Sequence, residues 1–182
     1  MKYIGRLLIL VIWISFSGKA FTQVQGYDFS WSNSSYSHLT SGTEIIGSDL
    51  DNEYVTIPIG FTFTFNEHQW NDITVTSNGV IVFDTYYDAL PDNTFQWFYG
   101  TCMVAPLWDN LATSPAGSVS YELTGTAPNQ VLTVDFNQMR WDATSTTFNR
   151  SFLVRFYETT NVIEFVYNIA NAPQGNAGAS IG

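Results

Sequence analysis

Between Ile57 and Phe83 the chain reads IPIGFTFTFNEHQWNDITVTSNGVIVF. Phe61, Phe63 and Phe65 alternate with Thr62 and Thr64, and Ile73 and Val75 alternate with Thr74 and Thr76. A period of two built from aromatic and β-branched residues predicts strands with one buried and one wetted face. Ser77-Asn78-Gly79 interrupts the run, and Asn-Gly is a strong turn signal because both residues accept positive φ. Val80 to Phe83 then predicts a short apolar strand.

The same pattern recurs on both sides. Tyr27, Phe29 and Trp31 alternate with Asp28 and Ser30 and predict a first strand, and Thr43 to Gly47 predicts a short second one. Cys102 to Leu111, CMVAPLWDNL, reads as a strand ending at an acidic turn, and Thr113 to Gly117 as a turn cluster. Val119, Tyr121 and Leu123, then Leu132, Val134 and Phe136, then Phe152, Val154 and Phe156, then Ile163, Phe165 and Tyr167 each keep the period of two. Turns fall at Gly125 to Asn129 and at Thr159 to Asn161. Roughly ten short strands with regular turns predict an all-β fold, an antiparallel β-sandwich of jelly-roll type. Its expected core holds Phe61, Phe63, Phe65, Ile73, Val75, Leu132, Val134, Phe136, Val154, Phe156, Ile163 and Phe165 on one shared side.

A chain of 182 residues with 45 % hydrophobic residues suits one domain with a sizeable core. Only 12 % of residues are charged, so Ser, Thr and Asn must supply most of the polar surface. Cys102 is the one cysteine, which excludes an intrachain disulfide and a multi-cysteine metal site.

Lys2 and Arg6 precede the apolar run LLILVIWISF, followed by Ser17-Gly18-Lys19-Ala20. A basic start, a short apolar run and small residues predict a secretory signal peptide over residues 1–20. The sandwich is then expected over residues 21–182, secreted or at the outer cell surface, with no membrane span once the signal is removed. Loss of residues 1–20 leaves three arginines against sixteen carboxylates, a net charge of −13. Such a surface repels phosphate backbones, so nucleic acid is not an expected partner. Ala179-Ser180-Ile181-Gly182 reads as the start of a strand, so the chain is expected to be the N-terminal part of a longer protein.

Several phrases together carry a resemblance: IPIGFTFTF, ITVTSNGVIVF, VAPLWDNL, YELTGTAPNQVLTVDF and VRFYETTNVIEFVY, ending in ASIG. As a set they resemble an N-terminal β-sandwich module of secreted Bacteroidetes surface proteins, many of them exported by type IX secretion. The SNG-strand and APLWDNL phrases are also similar, more weakly, to the extracellular domain of nidogen. Both resemblances imply a non-catalytic extracellular module, structural or adhesive.

Candidate sites follow from residue chemistry. Asp84 to Gly100, DTYYDALPDNTFQWFYG, crowds aromatic rings beside carboxylates. Tyr86, Tyr87, Asp88, Asp92, Trp97 and Tyr99 are the expected ligand contacts, for a glycan or an extracellular protein. Sugar rings stack on aromatic faces while carboxylates take the hydroxyls, and exposed aromatics also mark protein interfaces. The competing expectation is that the same rings plug one end of the sandwich. Asp109 and Asn110 are candidate calcium ligands, since loop oxygens suit that ion; the alternative is that Asp109 shapes a tight turn. Asp49, Asp51, Asn52 and Glu53 could likewise hold calcium, but they lack the spacing and glycine of an EF-hand loop, so a solvated acidic loop is the stronger reading. Glu158 and Glu164 flank a hairpin and could be imagined as a glycosidase pair. No Gly-x-Ser-x-Gly or His-Glu-x-x-His motif is present, so no catalytic residue is assigned. A carbohydrate-binding module is the alternative to the adhesive one, and a glycan-degrading enzyme stands behind both.

Overall fold

The computed structural model describes residues 27–91, 102–146, 150–169 and 179–182. The signal-peptide reading of residues 1–20 lies outside them. The chain divides into two compact units, Met1–Trp31 and Ser32–Gly182. In the first unit, Tyr27 to Trp31 form no strand, and Phe29 and Trp31 are 77 % and 89 % exposed. The expected first strand is therefore corrected. Period-two sequence becomes a strand only where a neighbouring strand supplies hydrogen-bond partners.

The second unit is an all-β, antiparallel two-sheet structure with nine strands among the described residues. β1 (Thr43–Ile46), β6 (Ala112–Thr124), β7 (Val131–Arg140), β8 (Arg150–Tyr157) and β9 (Ile163–Ile169) form one sheet in that order. β2 (Tyr54–Phe65), β3 (His68–Thr76), β4 (Ile81–Phe83) and β5 (Met103–Val104) form the other. The sandwich is the expected one. Its strand order is that of two meanders, β2 to β5 and β6 to β9, with β1 added beside β6.

Alternation sets the core. β2 reads exposed–buried in strict turn from Thr56 to Thr64, with Ile57, Ile59, Phe61 and Phe63 inward. Phe63 stacks on Phe83 of its own sheet at 5.9 Å and meets Phe156 of the facing sheet edge-on at 5.3 Å. These are the offset and T-shaped geometries that aromatic quadrupoles favour. All twelve expected core residues join this cluster, with Phe65, Ile163 and Phe165 partly buried at its margin.

Three local expectations change. The predicted turn at Thr113 to Gly117 is absorbed into β6 as an irregularity, where pairing with β7 slips between Thr113 and Ser118. A bulge lets one strand carry extra residues without breaking the sheet. The predicted strand Cys102 to Leu111 shrinks to Met103–Val104, and the residues after it trade ladder bonds for loop contacts. The β2–β3 turn is Asn66-Glu67, both at positive φ, a two-residue hairpin that carries no Asn-Gly signal. At the chain end, Ser180 and Trp108 exchange two backbone bonds of 2.9 Å, and Ala105 and Gly182 exchange two more.

The outer face of the five-stranded sheet is covered as well. Asp135 lies on it with no solvent exposure, held by residues of the segment before β1. It accepts the Tyr36 hydroxyl at 3.0 Å and the Leu39 N–H at 2.9 Å, and bonds His38 Nδ1.

Candidate functional site

Three loops meet at the Ser77-Asn78-Gly79 turn between β3 and β4. Ser77 and Glu53 exchange two bonds: the Ser77 N–H donates to the Glu53 carbonyl at 2.8 Å, and the Glu53 N–H to the Ser77 hydroxyl at 3.0 Å. Asn78 is wholly buried. Its side-chain N–H groups donate to the Asn52 side-chain oxygen at 3.0 Å and to the Ala89 carbonyl at 2.9 Å. Its own carbonyl accepts the Asp109 N–H at 3.3 Å, and the Gly79 carbonyl accepts the Leu107 N–H at 3.4 Å. The acidic loop, the aromatic loop and the Leu107 to Asn110 loop are thus fastened to one turn.

Further bonds brace the acidic loop. The Thr113 hydroxyl donates to the Gly47 carbonyl at 2.7 Å and accepts the Leu50 N–H at 2.8 Å. Asp51 bridges to Ala112, and Arg140 pairs with Asp49 at 3.2 Å. The SNG and APLWDNL phrases, distant in sequence, are in contact because each satisfies the other's backbone groups.

The described part of the aromatic loop, Asp84 to Pro91, folds over the outer face of the four-stranded sheet. The Thr74 hydroxyl donates to the Asp84 carbonyl at 2.8 Å and accepts the Tyr86 N–H at 2.9 Å. Trp108, fully buried, donates its indole N–H to the Leu90 carbonyl at 2.9 Å. Val80, Val82, Leu90, Ala105 and Trp108 form a second, smaller core there, with Tyr86 and Met103 at its edge.

The expected contact residues divide accordingly. Tyr86 is half-buried against the small core, and burial, with the Asp88 charge adding to it, pushes its phenol above the ordinary value. Tyr87 is 79 % exposed. Asp88 is exposed and accepts the Leu90 N–H at 3.1 Å. Asp92, Trp97 and Tyr99 lie outside the described residues. Plug and exposed ring therefore occur in one loop, in the alternation Tyr86 in, Tyr87 out.

Asp109 is partly buried and its carboxylate accepts the Asn110 N–H at 2.7 Å, while Asn110 is exposed. Asp109 does shape a turn, and that turn sits on Asn78 beside the acidic loop. Among the described residues, no three His, Cys, Asp or Glu side chains converge as a metal cluster. Glu158 accepts the Gln130 N–H at 2.9 Å, and Glu164 accepts Arg155 at 2.9 Å and the Tyr157 hydroxyl at 2.8 Å. Both are engaged in holding their hairpins. No helix of the described residues is long and apolar enough to cross a membrane.

Sequence reading missed two residues of consequence. Asn78 shows only as a turn former, and its role as a hub needs the partners it finds. Asp135 shows only as an outward position of β7, because nothing local announces that Tyr36, His38 and Leu39 cover it.

No curated protein and no solved structure matches this chain. The family model described as NIDO related matches residues 26–182, spanning both sheets and all three loops of this end. The match takes in most of the chain, and the chain belongs to the nidogen-related family of extracellular modules.

Proposed function

We propose that this chain is a non-catalytic structural or adhesive module that meets its partner through the aromatic loop beside the Ser77–Gly79 turn. One observation carries the reading: Tyr87 is 79 % exposed on a loop whose neighbours are pinned. Tyr86 N–H, Ala89 carbonyl and Leu90 carbonyl are all bonded to the sheet or to Asn78 and Trp108. A ring held in place before contact loses little conformational freedom on binding, and tyrosine is enriched at interfaces. The proposal includes export on the signal pattern of residues 1–20. It also includes surface display by the type IX route of the Bacteroidetes proteins whose phrases the chain resembles.

The test is binding of the full chain, and of Tyr87→Ala, to panels of extracellular proteins and of glycans. Protein binding that weakens about tenfold or more in Y87A, a change of roughly 1.4 kcal/mol, supports the adhesive reading. Binding confined to glycans, and lost in Y87A, favours the carbohydrate-binding alternative, to which the Tyr87 ring beside the Asp88 carboxylate is suited. Equal binding by both proteins removes the loop from the contact surface.

A further inference from the structure

Four strands end the two sheets among the described residues, and three of them carry a block to further pairing. β2 places Pro58, which has no N–H, beside a slip in its pairing with β3, and its Thr64 N–H is taken by the Asn161 side chain at 2.7 Å. β5 has two residues, and the segment that runs on from it is paired with the chain end. β1 has four residues and a register shift. β9 differs. It pairs with β8 through seven consecutive residues without a shift and holds no proline or lysine. Among the described residues no backbone is bonded along its outer side. A long regular edge with no such device is a template for another strand.

The ladder fixes what that edge offers. The Tyr157 N–H donates to the Val162 carbonyl at 3.1 Å. Bonded pairs alternate along an antiparallel ladder, so Arg155 with Glu164, Leu153 with Val166 and Ser151 with Asn168 are the bonded ones. The N–H and C=O groups of Ile163, Phe165, Tyr167 and Ile169 therefore point away from β8. Val166 stands at the midpoint of this row. A second β9 laid antiparallel about a twofold axis at Val166 matches Ile163 with Ile169 and Phe165 with Tyr167, and every outward group meets a partner. The side chains agree with that register. Glu164, the one charged residue of β9, falls opposite Asn168 of the second copy, an amide that can donate to it. A twofold axis at Phe165 instead sets Glu164 against the apolar Val166 and leaves Ile169 unmatched.

We propose that β9 is a dimerisation edge, pairing with β9 of a second copy to join two five-stranded sheets into one of ten. Twofold symmetry closes the contact, so the pair uses up the edge and no further copy adds to it. The pairing stands whether or not Tyr87 contacts a partner. Where it does, two linked aromatic loops bind a multivalent surface more tightly than one.

Sedimentation of the full chain from about 1 μM to about 1 mM tests it, and a reversible monomer–dimer equilibrium is expected. Asn168 is exposed, so its substitutions read the contact and not the fold. Asn168→Glu sets like charges opposite each other twice and should weaken the dimer about fivefold, whereas Asn168→Lys faces Glu164 twice and should strengthen it by a similar factor. In hydrogen exchange the Phe165 and Tyr167 amides should gain protection as the dimer forms, while the Glu164 and Val166 amides, already bonded to β8, stay protected throughout. A monomer at every concentration, a dimer indifferent to both substitutions, or Phe165 and Tyr167 amides whose protection does not change on dimerisation would each overturn the proposal.

Discussion

A β-carbon at Gly79 would stand 2.0 Å from the Leu107 carbonyl oxygen and 2.9 Å from its carbon. The φ of Gly79 is +72°, a conformation in which other residues are strained. The neighbour is backbone, so no side chain can rotate aside. Gly79→Ala should cost roughly 3–5 kcal/mol, combining clash with backbone strain. Urea unfolding measures it, and a loss below about 1 kcal/mol would show that the turn and the Leu107 loop separate easily.

Phe63 touches both sheets, stacking on Phe83 and meeting Phe156 edge-on, and it has no exposure. Phe63→Ala should therefore destabilise by about 3–5 kcal/mol through lost burial and a residual cavity. Phe63→Leu, which keeps most of the volume, should cost clearly less in the same urea series.

Asp135 uses both carboxylate oxygens on the segment before β1. Asp135→Ala strands the Leu39 N–H and leaves the Tyr36 hydroxyl the longer 3.5 Å bond to Asn137, and should cost about 2–4 kcal/mol. Hydrogen exchange gives the specific signature: the Leu39 amide should lose protection far more than amides of β3. Uniform loss across both sheets would mean that the segment is not a separable cover.

Alkaline pH should weaken the fold. Burial raises the Tyr36 phenol well above its ordinary value, and the Asp135 charge raises it further. Burial likewise raises Tyr167, whose hydroxyl donates to the Pro106 carbonyl at 2.5 Å. With the folded value raised, both states keep the proton below about pH 10 and the contribution is complete. Above that the unfolded chain ionises first, so stability falls as pH rises. The urea midpoint should hold between about pH 8 and 9 and decline beyond about pH 10, less steeply in Tyr36→Phe. A midpoint unchanged through the alkaline range would contradict the raised values of both phenols.

Tyr87 presents the opposite case. Its ring is largely in water, so Tyr87→Ala should change stability by no more than about 0.5 kcal/mol. A larger loss would mean that the ring packs on its loop and does not stand free for a partner.

By itself the sequence determined the class of fold and the inward faces. Side-chain direction alternates along any strand, so Phe61, Phe63, Ile73, Val134 and Phe156 were committed to one side by local geometry and hydrophobicity alone. Gly79 marked its turn for a local reason as well, since it takes the positive φ of 72° that other residues adopt only under strain, while Asn78 does not. Tertiary structure decided what lay opposite each element. Tyr27, Phe29 and Trp31 had the pattern of a strand and no strand formed, while Thr113 to Gly117 read as a turn and entered β6. Pairing depends on which backbone arrives alongside, and a single segment does not contain its neighbour. The site follows the same division. Acidic and aromatic loops were legible as composition, because residue chemistry is local. That Asp51, Asn52, Asn78 and Asp109 share one cluster was decided only when the SNG turn, the acidic loop and the APLWDNL loop closed on one another. Buried backbone groups must find partners, and these loops found them in each other.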